Sequence, residues 1–582
     1  MTTFFNQNKT NIHSSQKSNM LKDSCKQNQF IDPPYWYSLE TGIYNSKHSA
    51  RALPSNPFVD VVSYIFSHNH NGETSLIDAS TGYSLSYSQL QPLVKSMASG
   101  LHHQMGVSKG DVVLLLLPNS IHFHIVFLGI LYLGGVVTTM NPLSSVSEIK
   151  KQTTQCNVTL AFTLSTRLKE VNALGITSIG VPENANYDPK GVDFSCFHKL
   201  ISPNYNSLPP RTISQDDTAA ILFSSGTTGA SKGVVLTHKN LISAVELFVR
   251  FEASQYANNN EANTYLAIIP MFHIYGLTLF TLGILSLGSS IVVMNKFDPN
   301  VMVRAIDKYN VTHFPVVPPL LKVLIKVGKS VHRCQLKSLK QVSCGAAPLS
   351  TKCIEEFVQT FPCVDFIQGY GLSESTAVGT RGFNTKEIRN YTSVGLLAPN
   401  MQAKVVDNVT RLCSPPGITG ELWLRGPGIM KGIVKVLVGE YLKNVEASCS
   451  TIDKDGWLRT GDIVYFDHQG YLYIVDRLKD VIKYKGFQIA PADLEDVLIS
   501  HPDIDDAAVI GRPDEESGEI PMAFVVKKPK AKVSQYDILD FVAKHVAPYK
   551  KVHKVEFINA IPKSAAGKIL RRELKYMCCS RL

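Results

Sequence analysis

Five consecutive apolar residues, Ala219 to Phe223, run directly into Ser224–Lys232, a stretch made of hydroxyls, small residues and one cation. This reads as a strand opening into a glycine-rich loop. Gly226 and Gly229 let the backbone come close to a ligand, Ser224, Ser225, Thr227 and Thr228 supply donors, and Lys232 adds a positive charge. A loop of that chemistry cradles an anion. It is not a Walker A loop, because Ser231 rather than glycine precedes the lysine and Gly233 rather than Ser or Thr follows it. The surrounding chain is α/β: apolar β-rich runs such as Val112 to Leu117 alternate with helical patterns such as Leu241 to Phe251.

At 582 residues the chain exceeds the size of one core, so at least two folding units are expected. Beyond Arg477 a shorter unit begins, with strand-like Ala507 to Ile510 and Ala523 to Val526 and a helix near Gln535 to His545. The apolar stretch Ile121 to Val137 contains His122, His124 and the Gly134–Gly135 pair, and reads as a buried helix running into a strand, not a membrane span. A formal charge of +10 without basic blocks gives no support to a nucleic-acid partner and suits a protein whose ligands are polyanions. The 11 cysteines have no metal-ligand spacing and read as free thiols in a reducing compartment. The polar N-terminus lacks the apolar core of a signal peptide and reads as a flexible arm, so the Asn-Val-Thr triplets at Asn157, Asn310 and Asn408 carry no glycosylation reading.

The stretch SSGTTGASKGVVLTH, Ser224 to His238, resembles the phosphate-binding loop of the adenylate-forming superfamily, which includes acyl-CoA synthetases, peptide synthetase adenylation domains and firefly luciferase. Further motifs follow in that superfamily's order: PMFHIYG (270–276), SCGAAPL (343–349), QGYGLSES (368–375), GELWLRGPGIMKG (420–432), GWLRTGD (456–462), VDRLKDVIKYKGFQIAP (475–491) and PKSAAGKILRR (562–572). The resemblance is strongest to plant 4-coumarate:CoA ligases and their peroxisomal ligase-like relatives. It implies a large multi-subdomain N-terminal α/β domain (46–476) behind the arm (1–45), a hinge at 477–479, a small mobile C-terminal α+β domain (480–577) and a tail (578–582).

The resemblance also implies roles. ATP would be held by the loop Ser224–Gly229 and Lys232, by the adenine wall Gly345, Ala346 and Ala347, by Gln368, Gly369, Tyr370, Gly371 and Ser373, and by Asp462 and Arg477 at the ribose. Glu374 would hold Mg²⁺, a hard cation that takes oxygen ligands. Lys568 would enter for adenylation as a mobile positive charge. A swing about Lys479 would then withdraw it and bring in Lys483 and Gln488, with Lys485 and Gly486 beside the coenzyme A arm. His273 would position the acyl carboxylate or gate coenzyme A. Tyr275, Thr278, Ser343, Gly345, Gly371, Ala377 and Val378 would line the acyl pocket.

Ser375-Thr376-Ala377-Val378 and Ser343 depart from the hydroxycinnamate pattern, which has Ala-Gly-Pro-Val and a lysine there. With the terminal Ser580-Arg581-Leu582, a variant of the Ser-Lys-Leu address read by the peroxisomal import receptor, this favours a fatty acyl or oxylipin acid such as a jasmonate precursor, with a phenylpropanoid acid as the remaining class. Ile433 to Glu440, IVKVLVGE, stands as an insertion before YLKN. It leaves open a catalytically impaired nucleotide-binding variant. A luciferase-like or carrier-protein-dependent enzyme would share the adenylation motifs.

Overall fold

A computed structural model describes residues 34–184, 194–202, 208, 211–224, 232–256, 263–331, 333–384, 389–434, 451–484, 487–514, 517–546, 548–564 and 567–579. Among these the strands form four sheets. A seven-stranded sheet runs in the order Gly432–Val434, Lys232–Thr237, Thr218–Ser224, Val136–Thr139, Val112–Leu116, Val158–Leu164, Thr177–Val181. A nine-stranded sheet includes, as neighbours, Asp365–Tyr370, Gln341–Cys344 and His313–Val316. A five-stranded antiparallel sheet carries Leu458–Phe466 and ends in Leu472–Arg477. The fourth sheet starts after that point, at Ile482–Tyr484, and is built on the long hairpin Ile504–Asp514 with Gly518–Lys527.

Sequence explains much of this locally. The helix Ile121–Leu133 is apolar on every side and is buried all round, capped by the Ser120 hydroxyl, which accepts from Phe123 N at 3.1 Å. It leads through Gly134 and Gly135 into the buried strand Val136–Thr139. Helix Tyr87–Met105 starts with a Ser86/Gln89 capping box, and Gln535–His545 with a Ser534/Asp537 box. Among the described residues, no helix is long and apolar enough to cross a membrane.

Three expectations need correction. The N-terminal arm does not extend to residue 45: Trp36, Tyr37 and Tyr44 are buried, Tyr44 stacks on Phe466 at 4.5 Å, and Tyr44–Asn45 pairs with Ala403 and Gln402. Aromatic burial outweighs the polar composition around it. Likewise the tail does not begin at 578, because the last helix runs Arg571–Cys579 with Leu574 buried and the Cys578 thiol 3.5 Å from Met522 sulfur. The helix read over Leu241 to Phe251 is wound more widely at its centre, with a π segment Val245–Arg250 between α segments His238–Ala244 and Phe251–Gln255. It packs against a second π segment, Leu277–Gly283. Of the insertion, Ile433 and Val434 are described: they pair with Val234 and Gly233 as an edge strand, and the rest lies outside the described residues.

Candidate active site

The strand Thr218–Ser224 and the strand Lys232–Thr237 are antiparallel, and Ser224 stands directly opposite Lys232. The two ends of the glycine-rich loop are thereby fixed, while Ser225, Gly226, Thr227, Thr228 and Gly229 lie outside the described residues. The Ser224 hydroxyl donates to Glu374 Oε1 at 2.8 Å, which joins the loop to a second motif. Glu374 sits in a short turn, Ser373–Ser375, followed by Thr376 and Ala377 with φ of 54° and 61°. Left-handed backbone at two successive non-glycine residues is strained. The segment is held in place by Thr376, whose hydroxyl donates to Gly428 O at 2.7 Å, and by Met430 N, which donates to Glu374 O at 2.9 Å.

Strand Asp365–Tyr370 delivers Tyr370 to Asp462. The phenol donates to Asp462 Oδ2 at 2.6 Å, and Arg477 Nε pairs with Oδ1 at 2.6 Å. Asp462 and Arg477 are directly paired residues of adjacent antiparallel strands, so the ion pair is built into the register. Burial pushes the Asp462 carboxyl up, opposed by Arg477, the Tyr370 hydroxyl and Lys568, while Glu374 adds to the rise. Gln368 is committed elsewhere: its amide donates to Tyr391 O at 2.8 Å. Gly345 is buried, whereas Ala346, at φ 71°, is exposed and Ala347 half-buried at the end of strand Gln341–Cys344.

Lys568 reaches this cluster from the fourth sheet's unit. Its turn is closed by Lys563 pairing with Ile569, by Ser564 N donating to Lys568 O at 2.8 Å and by Lys568 N donating to the Ser564 hydroxyl at 3.2 Å. Gly567 has φ 78°, and a Cβ there would lie 2.6 Å from Pro319 Cδ, so the turn touches the large unit where only glycine fits. Burial and the nearby Arg477 and Lys479 charges bring the Lys568 ammonium down to about 8, against Asp462 and Asp480. The two units are also joined by Lys352 Nζ on Ile499 O at 2.9 Å and by Asp506, which meets Lys322 at 3.6 Å and Lys563 on its own unit. Asp476 accepts from Arg477 N at 2.6 Å and, through Oδ2, from Ala492 N at 2.9 Å.

The structure does not bring Lys483 to that cluster. Lys483 is exposed, opposite Gln488 in the hairpin of the fourth sheet, with its backbone N–H on Glu519 Oε2 at 2.9 Å. Lys485 and Gly486 lie outside the described residues, as does the Gln488 side chain. Lys479 is exposed in the turn between the third and fourth sheets.

His273 stands just before the helix that starts at Ile274, without a side-chain capping bond, its ring 4.6 Å from Phe272, and burial holds its pKa below the ordinary value. The loop before it is clamped by Asn119, which donates to Ile269 O at 3.0 Å and accepts from Met271 N at 2.8 Å. Asn119 carries no motif and escaped sequence reading. Tyr275 faces Ser343, hydroxyl to hydroxyl 3.5 Å, and a Cβ on Gly345 would lie 3.6 Å from its ring. Thr278 stands behind this surface, fully buried with its hydroxyl on Ile274 O at 2.7 Å. Val378 is buried in the core, while Ala377 and Gly371 are half-buried. Among the described residues no three His, Cys, Asp or Glu side chains converge on a metal site.

The sequence matches the family described as AMP-binding enzyme over residues 66–434 and its C-terminal domain over residues 493–568. It is 56% identical to the Arabidopsis thaliana 4-coumarate–CoA ligase-like 6 over 94% of this chain and 95% of that one. It is 44% identical to the Arabidopsis thaliana peroxisomal OPC-8:0-CoA ligase 1, covering 91% of this chain and 95% of the relative. The fold is that of ATP-bound MatB from Rhodopseudomonas palustris, with TM-score 0.79 at 23% identity over 89% of this chain and 98% of that one.

Proposed function

Because the chain belongs to the AMP-binding enzyme family, we propose that it joins a carboxylic acid to coenzyme A at the expense of ATP, forming AMP through an acyl-adenylate. The observation that carries this reading is Lys568, presented by the small unit beside Asp462 and Arg477 of the large one. In the first half-reaction a carboxylate oxygen of the acid attacks the α-phosphorus of ATP, the bond from that phosphorus to the α,β-bridging oxygen breaks, and pyrophosphate leaves with the bond electrons. Negative charge builds between carboxylate and α-phosphate, where the Lys568 ammonium offsets it without covalent bonding. Asp462 accepts the ribose hydroxyls, with Arg477 and the Tyr370 phenol holding its carboxylate in place. The anchored loop from Ser224 to Lys232 cradles the phosphates.

Glu374 fits Mg²⁺, which usually keeps several waters and binds through one or two carboxylates and substrate phosphates, so this one carboxylate, joined to the first residue of the loop, would suffice to hold it. When bound, the ion would neutralise the triphosphate. In the second half-reaction the coenzyme A thiolate attacks the adenylate carbonyl, and AMP leaves with the carbonyl–oxygen bond electrons. Withdrawal of Lys568 about Lys479 and arrival of the Lys483–Gln488 hairpin serve this step. A neutral His273 suits a residue that positions a carboxylate or gates the thiol.

The acid belongs to the fatty acyl, oxylipin or phenylpropanoid classes. The relative named as a peroxisomal OPC-8:0-CoA ligase supports an oxylipin acid and, with Ser580-Arg581-Leu582, a peroxisomal site through the import receptor. Pyrophosphate release with ATP and Mg²⁺ over hydroxycinnamic, medium-chain, long-chain and cyclopentanone acids, with and without coenzyme A, tests the reaction. Acid-dependent pyrophosphate with coenzyme A-dependent thioester is expected, and silence with every acid overturns the reading. Removing Ser580-Arg581-Leu582 leaves a tagged protein cytosolic, and unchanged peroxisomal import contradicts the address.

A further inference from the structure

The loop that carries His273 takes its hydrogen bonds from the other sheet. It follows strand Thr264–Ala267 of the nine-stranded sheet, runs through Ile268 to Phe272 and enters the helix that starts at Ile274. Ile269 and Met271 are buried, so the backbone groups of this stretch need partners. Asn119 supplies two: its amide N–H donates to Ile269 O at 3.0 Å, and its amide oxygen accepts from Met271 N at 2.8 Å. Thr139 supplies a third, its hydroxyl donating to Phe272 O at 2.7 Å. Both come from the side of the seven-stranded sheet. Asn119 stands between strand Val112–Leu116 and helix Ile121–Leu133, Thr139 ends strand Val136–Thr139, and each is 4% exposed. In both sheets these are the carboxyl ends of parallel strands, the place where open α/β sheets bind ligands. The loop is also tied to itself: His273 N donates to Pro270 O at 3.2 Å, and a Cβ on Gly276 would lie 2.3 Å from that same oxygen.

A carboxamide offers a donor and an acceptor on one carbon, which is what Ile269 O and Met271 N together ask of it. A carboxylate of the same shape accepts twice and would set its charge against Ile269 O. Breaking either bond would leave a buried backbone group without a partner, and the loop would shift to find one. His273 is two residues from Met271, and its ring packs on Phe272, whose carbonyl Thr139 holds. A shift of the loop is therefore a shift of the imidazole. A gate has to move between the two half-reactions. A loop bonded at Ile269, Met271 and Phe272 to the other sheet is a fixed mount, and a fixed imidazole suits the carboxylate of the acid, not a passing thiol.

Resting on the ligase reading above, we propose that Asn119, together with Thr139, positions His273: it fixes the loop across the seam between the two sheets, so that the imidazole meets the carboxylate of the acid during adenylation. Asn119 and Thr139 are here positioning residues, and His273 is the group that touches substrate. The thioester-forming step does not draw on them.

The probe is the acid that the wild type turns over fastest among hydroxycinnamic, medium-chain, long-chain and cyclopentanone acids, followed by ATP–pyrophosphate exchange. At about pH 8, Asn119→Asp should lower kcat/KM for the acid ~10–100-fold and change KM for ATP less than about 3-fold, because a misplaced group costs the step it serves. Toward about pH 6 the gap to wild type should narrow, since a protonated carboxyl regains a donor for Ile269 O while still accepting from Met271 N. Thr139→Val should act in the same direction by ~3–10-fold. In a His273→Ala background either substitution should cost less than about 2-fold more, as a residue acting through another must. Thioester formation from a supplied acyl-adenylate should stay within about 3-fold of wild type. The ATP-induced rise in melting temperature reports whether each variant is folded, and Thr139→Val decides if Asn119→Asp is not. No loss in the folded variants, losses that multiply with His273→Ala, an Asn119→Asp loss that acid does not relieve, or equal loss of both half-reactions overturns the proposal and leaves the ligase reading intact. Silence of the wild type with every acid overturns both.

Discussion

Lys568 is held where its own charge is disfavoured, since burial and two neighbouring cations bring its ammonium down to about 8. The protonated form is the one that can offset charge at the α-phosphate, so adenylate formation should fall as pH rises through about 8. A pH profile of acid-dependent pyrophosphate release checks this, and Lys568→Arg should remove the alkaline fall while lowering the plateau. Lys568→Ala should depress adenylation ~100-fold or more and leave thioester formation from a supplied acyl-adenylate nearly intact. Equal loss of both would contradict the assigned role. Unfolding cannot account for such a loss: the unfolded chain binds this proton more tightly, near the ordinary value of 10.5, so the charged lysine opposes folding below about 8 and ceases to do so above 10.5. Lys568→Met should therefore melt no lower than wild type at pH 7. Asp462, Arg477, Tyr370, Glu374 and Lys568 were legible because each sits in a motif whose spacing repeats a known order. Asn119 and Thr139 were not, because the backbone they hold lies 133 to 152 residues further on and nothing near either one announces it. An asparagine or threonine met singly in a sequence reads as turn or surface.

The turn that carries Lys568 depends on Gly567 as much as on the lysine. Gly567→Val would push a side chain into Pro319 and strain a left-handed backbone, so the turn could not seat against the large unit. Adenylation should drop at least ~10-fold with thioester formation spared, as for Lys568→Ala but with the lysine still present. Single-turnover measurements of the two half-reactions would separate this from general unfolding, which removes both. Elements of strong pattern were readable: the apolar run Ile121 to Val137 became the helix and strand expected, and the hairpin Ile504–Asp514 with Gly518–Lys527 contains both short strands foreseen. The widened helix Val245–Arg250 was not readable, because periodicity reports which face is buried but not how tightly the backbone is wound. The segment packed against it, Leu277–Gly283, lies outside the local sequence. The insertion shows a related limit: its apolar start suits an edge strand, yet only the neighbour Lys232–Thr237 determines that it becomes one.

Among the described residues the contacts between the units include Lys352 on Ile499, Lys322 on Asp506 and Gly567 on Pro319, the first two partly exposed. Exposed pairs of this kind contribute about 0–1 kcal/mol each. Lys322→Ala with Lys352→Ala should accordingly slow adenylation by only ~3–10-fold, leave the second half-reaction unchanged, and make adenylation less sensitive to salt. An unaltered salt dependence would mean that these contacts do not govern docking. The division into a large and a small unit was visible from length and from the change of pattern after Arg477. The limits of the arm and the tail were not, because Trp36, Tyr37 and Tyr44 are too few to set a period and gain their burial from a sheet some 360 residues further on, as with Tyr44 against Ala403. Asp476 has a consequence for the cycle as a whole. One of its oxygens is bonded to the chain about to enter the hinge and the other to Ala492 across it. The proposed swing about Lys479 would break the second bond and leave a buried carboxylate half satisfied until a new arrangement formed. The joint would therefore be disfavoured between its two proposed positions, with Asp476 acting as a latch on the first of them.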